Sequence, residues 1–326
     1  MHTSTRTILA VVMTASLAGL AAPAEAHGRQ DDGSPGRIAF GRVDPTLDDT
    51  VIHVVNPDGS NLRRLIPGPH ECPHWSPDGT QIATCGDPTN SATRIIDAAT
   101  GTSRLLAMPD PTLFTACFVW SPDAARLACE SFSDTDPGRN GIYSIRTSDG
   151  RGLRRITTNP GGDDNPGSYS PDGRQLVFSR SSANGDPLGL FVVRIDGTGL
   201  RRLTPPGALV SSTGDWSARA NEIVFARQDS PDVHTSMWTI RADGRGLREI
   251  RVRGLRCGGS VLDPAAAGCG QPTWSPNGQE VAFAVHVGNS TEHDIYTART
   301  NGRQATQVTS GAVDEGPDWG RSPAGR

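Results

Sequence analysis

A short pattern recurs along the chain: an aromatic residue, then Ser, Pro, Asp or Asn, and Gly, as in Trp-Ser-Pro-Asp-Gly at residues 75–79. The aromatic residues of successive copies are separated by 45, 49, 47, 58 and 45 residues. They are Trp75, Trp120, Tyr169, Trp216, Trp274 and Trp319. A period of this length is typical of folds that repeat one four-stranded unit.

The conserved core of the pattern has the chemistry of a tight turn. Pro77 suits the second position of a type I turn, Asp78 the third, and Gly79 the exit, where the backbone favours a positive φ. Apolar residues precede and follow the turn, at Trp75 and Ile82. Each copy therefore predicts a β-hairpin.

A second hairpin signal follows in each repeat. Asp-Gly or Asn-Gly at 149–150, 196–197, 243–244 and 301–302 separates an apolar run from a short run such as Leu-Arg-Arg-Leu. Such dipeptides between apolar runs are strong hairpin signals. Each repeat is thus predicted to be a four-stranded antiparallel meander, and the chain all-β.

The first repeat is incomplete. Residues 37–65 supply three strands and no aromatic-Ser-Pro-Asp hairpin, whereas residues 315–319 supply only a strand end. Pairing the C-terminal segment with the first strand would complete a sixth unit and close a ring without a free edge. We expect the six hairpin aromatics to pack between neighbouring units.

These residues resemble the TolB-type propeller repeat, also described as the WD40-like PD40 repeat. The resemblance rests on Trp-Ser-Pro-Asp-Gly-x-x-Ile-Ala and on Asp-Gly-x-x-Leu-Arg-Arg-Leu-Thr, and it covers residues 37–320. It implies a six-bladed β-propeller and suggests recognition of a protein or peptide at one face of the ring.

The N-terminus has the pattern of an export signal. Arg6 precedes an apolar stretch at residues 8–22, and Ala24-Glu25-Ala26 is a small-x-small cleavage site. We predict a signal peptide at residues 1–26 with cleavage after Ala26, a flexible leader at 27–36 and a flexible tail at 321–326. The mature protein is therefore expected to be periplasmic or secreted.

The six cysteines fit an oxidising compartment. Cys257 and Cys269 would close the longest insertion between repeats, and Cys72 and Cys85 lie on opposite arms of one hairpin. Cys117 and Cys129 lie on the next hairpin but one residue out of register, so both hairpins cannot place their cysteines opposite each other in the same way. A bulge in the second hairpin, or pairing between repeats, would resolve this.

Polar residues cluster shortly before each hairpin aromatic. In a propeller this region lies at one mouth of the central channel, and binding sites favour loops on a rigid scaffold. An acidic mouth would attract a divalent cation such as Ca²⁺, or a basic peptide segment. The predicted ligand-binding residues are Glu71, His74, Asp163, Asp164, Asn165, Asp215, Gln271, Asp314 and Glu315.

Residues 70–74 match the metalloprotease motif H-E-x-x-H in sequence. That motif requires a helix, which Pro73 opposes. In an extended segment His70, Cys72 and His74 would share one face, which leaves His70 and His74 as metal candidates. The disulfide partner available to Cys72 favours a structural reading of the segment.

The sequence contains no G-x-S-x-G nucleophile motif, and its arginine pairs fall on outer strands spread around the ring. We therefore expect an exported, monomeric, non-catalytic binding module with no required cofactor, which neither binds nucleic acid nor spans a membrane. The alternative is a metal-dependent propeller lyase or hydrolase acting on extracellular polysaccharide.

Overall fold

The computed structural model describes residues 35–68, 71–85, 93–108, 110–288, 290–301 and 304–323. Within these ranges 25 strands form six antiparallel sheets, and the 3-10 turn Pro137–Arg139 is the helical element. The sheets are the blades of a β-propeller, so the predicted all-β, six-bladed fold is confirmed.

Each blade is named here by its order along the chain. Blade 1 contains β1 (Arg37–Asp44), β2 (Asp49–Val55), β3 (Arg63–Arg64) and the last strand, β25 (Asp314–Gly320). Blade 2 contains β4 (His74–Trp75), β5 (Gln81–Thr84), β6 (Arg94–Asp97) and β7 (Ser103–Leu105). Blade 3 contains β8 (Phe114–Trp120), β9 (Arg126–Phe132), β10 (Gly141–Arg146) and β11 (Arg154–Arg155).

The other three blades follow the same meander. Blade 4 contains β12 (Asp164–Tyr169), β13 (Gln175–Ser181), β14 (Pro187–Arg194) and β15 (Arg201–Arg202). Blade 5 contains β16 (Leu209–Val210), β17 (Asp215–Trp216), β18 (Glu222–Gln228), β19 (Ser236–Arg241) and β20 (Arg248–Ile250). Blade 6 contains β21 (Ala267–Trp274), β22 (Glu280–Val287), β23 (Asp294–Arg299) and β24 (Thr306–Gln307). In blade 5 both β16 and β17 pair with β18, so its inner strand is interrupted.

The repeated hairpin turn is held by its own side chains. Gly79 N–H donates to the Ser76 carbonyl over 2.8 Å. Gly79 follows the two central residues of the type I turn and has a φ of +70°, which favours glycine at this position. The Ser76 hydroxyl donates to Asp78 Oδ1 over 2.7 Å and accepts from Gln81 N–H over 2.9 Å. Ser and Asp therefore recur because each satisfies backbone or side-chain groups of the turn.

The ring closes between the chain ends. Strand β25 pairs antiparallel with β1, with Ile38 opposite Trp319 and Arg37 opposite Gly320. The sheet order β25-β1-β2-β3 gives blade 1 its fourth strand from the C-terminal segment. The predicted closure is confirmed.

The core lies between blades. Six clusters of buried apolar side chains each combine residues of two neighbouring blades, and the sixth joins blade 6 to blade 1. The hairpin aromatics occupy these junctions and are between 5% and 8% exposed. Trp75, for example, packs with Ile52 and Val54 of blade 1. Their predicted role in inter-blade packing is confirmed.

Three disulfides join Cys72 to Cys85, Cys117 to Cys129 and Cys257 to Cys269. The register problem at the second pair is resolved by a bulge: Cys117 lies opposite Cys129, and the register then shifts between Cys117 and Val119. All three pairs link positions 12 or 13 residues apart.

Candidate functional site

Irregularities in the blade sheets shape the centre of the ring. The pairing of the inner strand with its neighbour shifts register next to Phe118, Gly167 and Gln271, and β1 and β25 shift between Ala39 and Gly41. A bulge reverses which face a side chain occupies and increases local twist. The residues near each bulge are thereby turned toward the ring axis.

A cavity of about 580 Å³ lies on the ring axis, and all six blades contribute to its wall. We call it the axial cavity. Six of the predicted ligand-binding residues line it: Glu71, His74, Asn165, Asp215, Gln271 and Glu315. Four carboxylates, from Glu71, Asp215, Glu315 and Asp318, face it, and among the described residues no arginine lines it.

Asp163, Asp164 and Asp314 lie outside the axial cavity. Asp163 is exposed, whereas the other two side chains have no exposed surface. Asp164 accepts two hydrogen bonds of 2.6 Å from the Arg180 guanidinium. Asp314 accepts bonds of 2.7 and 2.8 Å from Arg42. Both carboxylates are therefore occupied in bidentate ion pairs between an inner strand and the strand beside it.

In three of the repeats the residue directly before the hairpin aromatic links two blades, a role that the sequence does not predict. Its side chain accepts the backbone N–H of the aromatic in the next blade. Asp318 accepts from Trp75 over 2.6 Å, and Asp215 accepts from Trp274 over 2.7 Å. Ser168 accepts from Trp216 over 2.6 Å. The sequence has a polar residue at this position in five of the six copies, and two of them, His74 and Asp215, are predicted ligand-binding residues. Their contacts with the next blade depend on how the blades pack, which the sequence pattern does not show.

Burial shifts the pKa values of Asp215 and Asp318, the two aspartates that accept these backbone hydrogen bonds. It raises the pKa of Asp215 to about 7 despite hydrogen bonds from Trp274, Thr273 and Ser168, and the Asp318 charge adds to the rise. Burial also raises the pKa of Asp318 to about 7. The Thr273 hydroxyl donates to Asp215 over 3.1 Å and also bonds Asp318. Near neutral pH this part of the wall can exchange protons.

His74 lies beside Asp318 but does not form a strong charge pair with it. Its Nδ1 is 3.9 Å from Asp318 Oδ1, and its ring stacks on Phe118 with centroids 5.1 Å apart. Burial lowers the pKa of His74 to about 4. At neutral pH His74 is thus uncharged, and the Asp318 carboxyl is partly protonated.

The H-E-x-x-H segment is not helical in its described part. Residues 71–73 are irregular, β4 begins at His74, and Cys72 has a φ of +48°, so the extended arrangement considered above is also absent there. His70 lies outside the described residues. Glu71 approaches Cys72 and Cys85 closely enough for a shared metal. Because these two sulfurs form a disulfide, they are not available as thiolate ligands.

The ring of blades and its axial cavity define the class of protein: a six-bladed β-propeller with a polar site at its centre. The family model described as the TolB beta propeller domain matches residues 36–251. This match spans more than half of the chain, which therefore belongs to the TolB β-propeller family. A search of curated proteins found no match.

Solved structures share the fold. TolB from Acinetobacter baumannii superposes with a TM-score of 0.69 at 22% identity, over 87% of this chain and 66% of that one. The putative TolB from Agrobacterium tumefaciens gives 0.63 at 18% identity, over 86% and 91%. An oligogalacturonate lyase from Vibrio parahaemolyticus gives 0.55 at 11% identity, over 85% and 82%.

A further observation bears on the relation to membranes. In the part of the chain that the structure describes, no helix is both long and apolar enough to cross a bilayer.

Proposed function

We propose that the protein is an exported, non-catalytic binding module that holds a positively charged segment of a protein or peptide partner in the axial cavity. The observation that carries the proposal is the composition of the cavity wall, which has the exposed carboxylates of Glu71 and Glu315 and no arginine among the described lining residues. Asp215 and Asp318 add the negative charge of two carboxyl groups that are partly ionised near neutral pH. A negative cleft with low-dielectric walls attracts cationic groups and accelerates their association. Export rests on the signal-peptide pattern of residues 1–26, which lie outside the described residues.

Two features suit the cavity to a peptide rather than to a small ion alone. Its volume of about 580 Å³ lies within the range typical of ligand pockets. Small polar residues also line the cavity, including Ser168, Ser211, Ser212 and Thr213. These groups offer donors and acceptors for an extended chain, while Glu71 and Glu315 are exposed and ready to meet a cationic side chain.

The test uses synthetic decapeptides of matched length that carry zero, two or four arginines, with binding followed by calorimetry. We expect affinity to increase with peptide charge and to fall with added salt. The Glu71→Gln/Glu315→Gln variant should bind the most basic peptide about fivefold more weakly or worse, since each lost charge contact is worth up to roughly 1 kcal/mol.

Asp163→Asn is the matched control, because Asp163 is an exposed carboxylate of the same region that does not line the cavity. It should bind like the wild type. Affinity that is independent of peptide charge, or equal in the double variant and the wild type, would show that the axial cavity is not the docking surface. If the peptides bind as expected, a pull-down from envelope extract or culture fluid with the same variants would identify the natural partner.

A further inference from the structure

Two carboxyl groups in the wall of the axial cavity are joined through a single hydroxyl. Thr273 Oγ1 lies 3.1 Å from Asp215 Oδ2 and also bonds the Asp318 carboxyl. Asp215 belongs to β17, Thr273 to β21 and Asp318 to β25, so the three residues come from blades 5, 6 and 1. All three line the axial cavity. We call this set of three residues the carboxyl bridge.

The hydrogen bonds of the carboxyl bridge are complete only when one of its carboxyl groups is protonated. A threonine hydroxyl has one proton to donate. If Thr273 donates to one aspartate, its oxygen can only accept from the other, which requires a proton on that second carboxyl. The remaining bonds do not change this count, because the N–H groups of Trp75 and Trp274 each serve one aspartate.

Among the described lining residues, none carries a positive charge near neutral pH that could balance two ionised aspartates. No arginine lines the cavity. His74 Nδ1 is 3.9 Å from Asp318 Oδ1, but burial lowers the pKa of His74 to about 4, so the ring is uncharged. The other titratable groups of the wall, Glu71 and Glu315, add negative charge. Neighbouring carboxylates without a cation retain a proton, in agreement with the raised pKa values of Asp215 and Asp318.

The carboxyl bridge is within reach of a ligand in the cavity. The Asp318 side chain is 23% exposed, and both carboxyl groups face the cavity. A guanidinium or ammonium group placed beside them would supply hydrogen-bond donors and a positive charge. Since an opposite charge favours the ionised form of a carboxyl group, such a ligand replaces the retained proton.

We propose that a cationic side chain of the partner displaces the proton held by the carboxyl bridge, so that binding releases a proton and strengthens as pH rises. This inference rests on the proposed function, and it names the groups that the cation meets and the condition that regulates its binding. The proton leaves a carboxyl oxygen and passes to solvent, and no other covalent bond changes. The coupling is reciprocal, so acidic surroundings release the partner.

The experiment uses the purified full chain and the decapeptide with four arginines, blocked at both ends and without another titratable group, so that the peptide keeps its charge. Calorimetry in two buffers of different ionisation enthalpy counts the protons released on binding. We expect roughly one proton per bound peptide at about pH 6.5, and an affinity that rises about tenfold or more between about pH 5.5 and about pH 8, since a shift of one pKa unit corresponds to a factor of ten.

Asp215→Asn/Asp318→Asn keeps an acceptor oxygen for each tryptophan N–H and removes the exchangeable proton. It should release no proton, and its affinity should stay near the wild-type value at about pH 5.5 across the range. His293→Gln tests the other titratable group next to the wall, because His293 Nδ1 lies 2.7 Å from Glu315 Oε1. This variant should still release the proton. Thermal melting verifies that each variant folds.

The possible outcomes separate this inference from the proposed function. Wild-type binding that releases no proton and is equally tight at every pH would overturn the inference and leave the proposed function intact. Loss of the pH dependence in His293→Gln, with its persistence in the double asparagine variant, would also overturn it, because His293 would then be the group that titrates. A peptide that binds at no pH would refute the proposed function and the inference together.

Discussion

At the residue scale, Asp215 and Asp318 show how one position combines structure and chemistry. Each carboxylate accepts the backbone N–H of a tryptophan in the following blade and is also part of the cavity wall. Substitution by alanine would therefore remove an inter-blade hydrogen bond together with a charge. Asparagine is the informative change, because it keeps the acceptor oxygen and removes the titration.

We predict that the free energy of unfolding falls as pH rises from about 4 to about 7, because both aspartates are protonated over this window only in the folded state. Their pKa values of about 7 compare with an ordinary value of 3.8. The loss between about pH 4 and about pH 7 should be on the order of 2 kcal/mol, below the full shifts because both side chains are only partly buried. Urea denaturation at each pH measures it.

The Asp215→Asn/Asp318→Asn variant should lose most of this pH dependence. A smaller slope is expected to remain, since burial and the neighbouring Asp163 raise the pKa of Glu130 to about 7 as well. A double variant with the same slope as the wild type would show that the two aspartates are not the groups that titrate.

At the element scale, the inner strands are fixed by a repeated ion pair as well as by their bulges. Asp164 of β12 is paired with Arg180 of β13, and Asp314 of β25 is paired with Arg42 of β1. Both aspartates lie five residues before the hairpin aromatic. The residue after each of them, Asn165 or Glu315, lines the axial cavity.

We predict that Arg180→Met destabilises the fold by about 3 kcal/mol, because it leaves the Asp164 carboxylate buried without its cation. Asp164→Asn/Arg180→Met should recover at least half of that loss, as no buried charge then remains. The measurement is a double-mutant cycle of chemical denaturation.

The exposed ion pair Arg146–Asp149, whose side chains are 49% and 40% exposed, serves as the control for the buried Arg180–Asp164 pair. Arg146→Met should cost less than about 1 kcal/mol. If both arginine substitutions cost the same, burial is not what gives the Arg180 pair its importance.

At the scale of the whole molecule, closure of the ring depends on β25 and on the junction it forms. Trp319 is 6% exposed and packs with Ile38, Phe40 and Ala282, so it joins blades 1 and 6. Its indole N–H also donates to the Pro35 carbonyl over 2.8 Å. The first and last strands, β1 and β25, thus meet in one sheet and one core cluster.

We predict that Trp319→Ala lowers stability by about 3–5 kcal/mol and that β1 and β25 become the first strands to exchange amide hydrogens. Trp216→Ala, at the junction of blades 4 and 5, should cost a similar amount while leaving β1 and β25 protected. Hydrogen exchange with mass spectrometry distinguishes the two. Equal protection of β1 in both variants would mean that the ring does not open at its closure.

The sequence by itself determined the repeat, the blade number, the hairpin turns and the closing strand. These follow from short-range chemistry: the turn at residues 76–79 is satisfied by its own Ser and Asp, and the spacing of the aromatics counts the blades. The six cysteines predicted disulfides but left their connectivity open, because pairing within one hairpin and pairing between neighbouring repeats both fitted the spacing. The bulge beside Cys117 was one of two alternatives that the residues left open.

Only the tertiary structure decided which polar side chains face one another. A bulge of one residue reverses which face of the sheet the following side chains occupy. Asp164 and Asp314 therefore pair with arginines outside the axial cavity, whereas Asp318 and Thr273 line it. His234 and His286, 52 residues apart, meet because two blades stand side by side. Local pattern specifies the blades, but the packing of blades around an axis sets the chemistry at their centre.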